Sequence, residues 1–376
     1  MEFGLSRNEM MQQWFHHFHE HPEVSWKEFK TTEKLSAILT ELGVKHRTFD
    51  DVTGVIAEIG TGNEVIAVRA DIDALWQEVN GKMRANHSCG HDANITMVLG
   101  ALLGLLNEPL NKRIRFIFQP AEETGGGSIS MIDRGAMEDV THLFGVHLRP
   151  IDELPLGKVA PAIHHGAAAF LEGRITGEDA HGARPHQGKN ALDVVFAIQQ
   201  ALQTLHINPF EICSAKLTKI VADGGSVNII PGNATFTMDV RAQKNSVLHE
   251  LQGKIETRFI QIATMHDVTI DWEWLDITPG AEVSPKAAEI ARQAIVEALG
   301  EEALAEAVLT PGSDDFHFYT IHKPQLHATM IAVGANLTPG LHHPYMTFDI
   351  SALYNGADVL TTTLKNAAKG TDDHEY

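Results

Sequence analysis

The chain has 376 residues, more than one typical hydrophobic core accommodates, so two domains are expected. A net charge of −20 argues against nucleic acid and anionic membranes as partners, while 43% hydrophobic residues is ample for burial. Two cysteines, Cys89 and Cys213, exclude a disulfide framework and suit a reducing compartment; with no basic-then-apolar leader in Met-Glu-Phe-Gly-Leu, a cytoplasmic protein is expected.

In chain order, helical spacing of Met11, Trp14, Phe15 and Phe18 predicts an amphipathic helix that stops near His21-Pro22. A second helix is expected over 28–42, with Gly43 in the C-cap position. Residues 55–59 and 65–68 read as short strands around the turn Gly60-Thr-Gly-Asn63. A buried helix at 93–106, too short to cross a bilayer, then separates them from strands at 113–118 and 142–146. This alternation predicts an α/β domain with a largely parallel central sheet, whose ligands gather beyond the carboxyl ends of the strands. Asp71 and Asp73 follow one strand, Glu122-Glu123 another, and His147 ends a third.

The pattern changes near residue 168 to strands at 169–176, 214–221, 234–241 and 269–275 and helices at 191–205 and 247–265. These suit an antiparallel sheet covered by two helices, an inserted α+β lid and dimerisation domain over 168–283. Residues 1–167 and 284–376 form the catalytic domain, resuming with a helix at 285–299, a strand at 327–333 and a helix at 350–365. Cys213 is read as a buried thiol, and 371–376 as a frayed acidic tail.

The chemistry concentrates in His87-Ser-Cys-Gly-His-Asp92, Glu122-Glu123, His147 and His342-His343. A thiolate, imidazoles and a carboxylate are ligands for a zinc- or manganese-class ion, and a second carboxylate can then work on water. Adjacent glutamates diverge in an extended or turn segment, so one can bind metal while the other faces the scissile bond. A Cys89 nucleophile with His91 as base is disfavoured, because residues two apart make poor nucleophile–base geometry.

Arg69-Ala-Asp-Ile-Asp-Ala-Leu75, His87-Ser-Cys-Gly-His-Asp92, Phe118-Gln-Pro-Ala-Glu-Glu123, Phe144-Gly-Val-His147, Ser313-Asp-Asp-Phe316 and Leu341-His-His-Pro344 occur in that order. Together they resemble the amidohydrolase branch of the aminoacylase/carboxypeptidase G-type metallopeptidases, which includes hippurate and auxin-conjugate hydrolases. The resemblance runs from about residue 10 to about residue 365. It implies that Cys89, His91, Glu123, His147 and His342 are metal ligands, with Cys89 able to hold both ions. His342 is selected over His343 by the pattern His-x-Pro. Glu122 is implied as general base, and Asp71 and Asp73 as supporting acids that orient ligand histidines. Asp92 is read either in that supporting role or as the N-cap of the helix that follows.

Gly177-Glu-Asp-Ala-His181 resembles the family segment whose histidine polarises the scissile carbonyl, in relatives sometimes in the partner subunit's site. Asn228 and Arg241 match positions associated with the substrate carboxylate. The chain departs from the family at Asn94, where a histidine is frequent, and at 177–180, where Gly-Lys-Gly-Gly is frequent. The implied protein is a homodimeric amidohydrolase of N-acyl amino acids or similar small amides, with two divalent ions: manganese or zinc, or else cobalt or nickel. A dipeptidase or carboxypeptidase using the same site is the alternative.

Overall fold

The computed structural model describes residues 5–369; the tail at 371–376 lies outside them. Among these, two compact units emerge, one of residues 5–164, 282–309 and 315–369, the other of 165–281 and 310–314.

In the first unit, α1 (Arg7–Glu20) begins at a capping box, Ser6 and Glu9 each bonding the other's backbone N–H, and buries Met11, Trp14, Phe15 and Phe18. After α2 (Phe29–Glu41), Gly43 turns the chain at φ +69° into β1 (Lys45–Arg47). Next come β2 (Val55–Ile59), β3 (Val65–Asp71), a hairpin of β4 (Leu75–Val79) and β5 (Lys82–Asn86), and α3 (His91–Leu105). β6 (Arg113–Gln119), α4 (Gly127–Asp133), β7 (Val140–Pro150), β8 (Val159–Ala160) and β9 (Ile163–His165) complete this stretch.

The second unit contains β10 (Ala167–Thr176), β11 (Ala180–His181), α5 (Ala191–Gln203), β12 (Cys213–Ala222), β13 (Ile229–Ile230), β14 (Asn233–Ala242), α6 (Asn245–His266) and β15 (Thr269–Thr278). The chain continues through α7 (Pro285–Leu299), β16 (Val308–Thr310), α8 (His317–His322), β17 (His327–Leu337) and α9 (Ala352–Lys369).

The seven-stranded sheet has the order β1-β2-β6-β3-β7-β17-β8. β6, β3, β7 and β17 run parallel, and antiparallel strands flank them. The chain is thus α/β with a parallel core, as its alternating pattern predicts. The Gly60 turn does not make a hairpin, however: β6 lies between β2 and β3 and pairs with both. α3, buried on nearly all sides, shares a core with α1, α9 and one face of this sheet. The second unit has a four-stranded antiparallel sheet, β12-β14-β10-β15, and an apolar core shared with α5 and α6. Cys213 opens β12 half-buried rather than buried, because it stands at the sheet edge.

At the opposite end of the parallel strands from their carboxyl termini, His142 of β7 is the register partner of His327 of β17, with ring centroids 5.0 Å apart. Burial, then His327 and Lys286, push the buried His142 down to about 4 from the ordinary 6.5. Between these values the unfolded chain binds a proton that the folded chain does not, so stability is complete above 6.5 and declines as pH falls toward 4. His142→Asn should therefore lose less Tm than the parent between pH 7 and 4.5; equal losses would remove His142 from the acid response.

Candidate metal centre

The carboxyl ends of the parallel strands supply the donors. β3 ends at Asp71, β6 leads into Glu122-Glu123, and His342 follows β17. His147 lies inside β7 rather than ending it, since the strand runs on to Pro150. β3 stops pairing with β7 at Gly145, so His147 lies past that ladder, opposite Ala332 of β17. Gly90, at φ +85°, makes the corner between Cys89 and α3, so that His91 opens the helix. The two glutamates occupy a compact turn between Ala121, at φ +53°, and Gly125. A Cβ at Gly127 would fall 1.6 Å from the Pro120 carbonyl oxygen, so only glycine permits this tight return into α4.

These elements bring the expected ligands together in overlapping sets. Cys89, His91 and His147 form one group with ligand atoms within 4.8 Å of each other; Cys89, Glu123 and His342 form a second, and His91, Glu122 and Glu123 a third. Cys89 belongs to the first two. Its Sγ lies 3.5 Å from His147 Nε2, and Glu123 Oε2 lies 3.5 Å from His342 Nε2. Glu122 Oε2 is 3.7 Å from His91 Nε2. His343 points elsewhere, its Nδ1 accepting from the Tyr345 N–H.

Each buried histidine is oriented through its other nitrogen. His91 Nδ1 lies 2.9 Å from the Asp73 carbonyl oxygen and 3.3 Å from Asp73 Oδ1; His147 Nδ1 lies 2.7 Å from the Leu148 carbonyl oxygen. A proton on Nδ1 leaves the Nε2 lone pair for a cation. His342 is fixed through its backbone at φ +64°: its N–H donates to the Ser88 carbonyl and its carbonyl accepts from Gln77 Nε2.

Asp73 lies against Nδ1 of His91. Its carboxylate also accepts from Ser25 Oγ and the Glu123 N–H, and although burial works against ionisation, His91 first and then these two donors hold it below the usual range. Asp71 instead faces the Nε2 side of His91 at 3.6 Å, held by Arg69 Nη1 at 2.5 Å and Asn94 Nδ2 at 2.8 Å. Asn94 thus supports an acid of the site. Asp92 neither orients a ligand nor caps α3: Gly90 is the N-cap, and Asp92 Oδ2 meets His19 Nδ1 at 2.6 Å.

Sequence reading misses Ser25, Glu28, Arg69 as a side chain, Gln77, Gln119 and Asp315. Only Gln77 had a local signal, since Val79-Asn80-Gly81-Lys82 is a two-residue hairpin turn, with positive φ at both centre residues. Arg69 spans Asp71, Gln119 and Asp315 entirely within the interior.

The donors fit divalent cations on two grounds. His91 Nε2 and Glu123 Oε1 are buried without a hydrogen-bond partner among the described residues, a costly state for polar atoms. Burial and nearby carboxylates also push the Cys89 thiol well up and Glu123 up to about 7. A cation placed among them would reverse both shifts, because it favours thiolate and carboxylate. Burial and Asp71 act in opposite directions on His91, and the acids raise it well above normal.

The other expected residues lie on the second unit. His181 is exposed in β11, its Nδ1 accepting from the Ala183 N–H, and the Gly182 N–H donates to the Asn228 carbonyl, so these two segments adjoin. Arg241, on β14, is held by Asp239.

Residues 67–366 match peptidase family M20/M25/M40. The chain belongs to this family, and it is a hydrolase. N-acetyl-L-cysteine deacetylase of Bacillus subtilis is 30% identical, covering 95% of this chain and 88% of its own. IAA-amino acid hydrolase ILR1-like 4 of Arabidopsis thaliana is 31% identical, covering 80% of this chain and 72% of its own. Among solved structures, the Bacillus subtilis YXEP protein, a dinuclear metal binding peptidase from the M20 family, superposes with TM-score 0.84 at 26% identity over 97% of this chain and 99% of its own.

His342→Ala should lower the metal content or metal affinity of the purified protein, whereas His343→Ala should not. Elemental analysis after equilibration with limiting metal separates them, and the reverse pattern would exchange the two assignments.

Proposed function

We propose that this hydrolase cleaves the amide of N-acyl amino acids to a carboxylic acid and an amino acid. The observation that carries this reading is the pair of donor sets sharing Cys89, with Glu122 beside them. Cys89, His91 and His147 would hold one divalent cation and Cys89, Glu123 and His342 a second. Bound there, the cations would supply Lewis-acid stabilisation of negative charge on oxygen. Thiolate softness favours zinc, with manganese, cobalt and nickel as competitors.

Glu122 takes a proton from the attacking water and returns one to the departing nitrogen. On the second unit, His181 keeps the proposed role of donor to the carbonyl oxygen, and Asn228 and Arg241 that of recognising carboxylate. The two named relatives, one a deacetylase of an N-acetyl amino acid and the other a hydrolase of IAA-amino acids, support this substrate class. A screen of acetyl, benzoyl, long-chain and indole-acetyl amino acids against dipeptides tests it. Preference for a free α-amine would favour the dipeptidase.

Chelation should abolish turnover, and full activity in protein shown to be metal-free would end the two-cation reading. Glu122→Gln should keep its metal and lose on the order of 10²-fold in kcat, the usual worth of a positioned acid–base group. His181→Ala should also retain metal while kcat falls about 10²- to 10³-fold, as for one oxyanion donor. Unchanged turnover in either variant reassigns that residue.

We propose a homodimer paired through the second unit, supported by the exposed apolar side chains Phe196, Phe210, Ile212 and Val227. Solution scattering should return the mass of two chains; an active monomer at assay concentration would refute pairing. The cytoplasm is the proposed compartment, supported by two unpaired cysteines, and no helix among the described residues is long and apolar enough to cross a membrane.

A further inference from the structure

We propose that Glu28 is the positioning residue for the Glu122-Glu123 turn, an inference that rests on reading Glu122 as base and Glu123 as ligand. Glu28 is 0% exposed, an expensive location for a carboxyl group unless its oxygens are bonded. It stands at the N-cap of α2, where a side-chain oxygen ordinarily accepts a free N–H of the first helical turn. It makes no such bond. Glu23 does so instead, its Oε2 accepting from the Thr31 N–H at 2.8 Å and from Thr31 Oγ1 at 3.0 Å.

That division of labour leaves the Glu28 carboxylate turned toward the site. Oε1 accepts the Ala121 N–H at 2.8 Å, and Oε2 accepts Thr53 Oγ1 at 2.6 Å. Ala121 is the left-handed residue immediately before Glu122, at φ +53°, a conformation unfavourable for a residue with a Cβ that persists only where the surroundings impose it. Two residues on, Asp73 Oδ2 accepts the Glu123 N–H at 3.1 Å. Glu28 and Asp73 thus grip alternate backbone N–H groups of one turn, which settles where the carboxylates of Glu122 and Glu123 project.

The same short segment also holds Asp73. Ser25 Oγ donates to Asp73 Oδ2 at 2.7 Å, the Ala74 N–H donates to the Glu23 carbonyl, and Val24 bridges Ala74 in parallel register. Residues 23–28 therefore join the loop after β3 to the loop after β6, and Glu28 supplies the link to the second. It belongs to none of the donor groups, so its effect on the reaction passes through the turn.

The test compares Glu28→Ala, Glu28→Gln, Thr53→Val and Glu23→Ala with the parent, reading kcat, KM, metal per chain and Tm, with Glu122→Gln in parallel. Glu28→Ala should lower kcat by about 10- to 100-fold per folded molecule, the scale on which a 1 Å misplacement acts, with KM little changed and the cation of the Glu123 set held more weakly. Glu28→Gln should recover most of that loss, since its amide oxygen still accepts the Ala121 N–H. Thr53→Val should move kcat in the same direction by less, and Glu23→Ala should lower Tm without lowering kcat. Parental kcat in folded Glu28→Ala, or equal losses in Glu28→Ala and Glu28→Gln, would overturn the proposal. If Glu28→Ala does not fold, parental kcat in Thr53→Val overturns it. Parental turnover in Glu122→Gln would remove the base assignment and this proposal together, whereas loss in Glu122→Gln with none in Glu28→Ala removes the positioning role alone.

Discussion

Arg69 is a guanidinium shut away from solvent, and the order of the site depends on the charges it holds. It donates to Asp71 on its own strand, to Gln119 at the end of the neighbouring one, and to Asp315, which is 246 positions away in sequence. Gln119 and the Ser128 N–H donate to the same Asp315 carboxylate, and the Tyr319 hydroxyl donates to Gln119. Two buried carboxylates share one buried cation, so removing Arg69 would strand both acids, a loss typically of about 3–5 kcal/mol. This network lies below the donors and sets the orientation of Asp71, which in turn faces His91.

Above it, acids accumulate far beyond what Arg69 balances. Asp71, Asp73, Glu122, Glu123 and Cys89 converge on the few ångströms around His91, and burial pushes Glu123 and the thiol toward their protonated forms. A protein arranges such a concentration of negative donors at a cost to its apo stability, which bound cations offset through mass action. His91 and His147, by contrast, each turn Nδ1 to a backbone carbonyl, which does not titrate.

Much of this was legible in the sequence, for a physical reason. Apolar spacing betrays α1, a continuous apolar run betrays α3, and a donor cluster such as Cys89-Gly-His91 is short enough to be read as a unit. What the sequence concealed was pairing over distance. The Gly60 turn carries the signature of a hairpin, yet whether its strands pair depends on β6, more than fifty residues beyond β2. Asp92 beside His91 looks like a helper until His19 is found bonded to it, and Glu28 looks like one more residue of a helix until its carboxylate is found on Ala121. Each is a contest between a local interaction and a remote one, and the outcome is visible only in three dimensions.

The place of His342 in the chain has a consequence for how the molecule is made. Cys89, His91, Glu123 and His147 all precede the second unit, and His342 follows it. A nascent chain therefore exposes the complete Cys89–His91–His147 set roughly 200 residues before the last member of the Cys89–Glu123–His342 set, on the order of ten seconds or more of synthesis. During that interval the chain carries every member of the first set and lacks one of the second. Closure of the second set therefore waits for a residue made after the whole of the second unit.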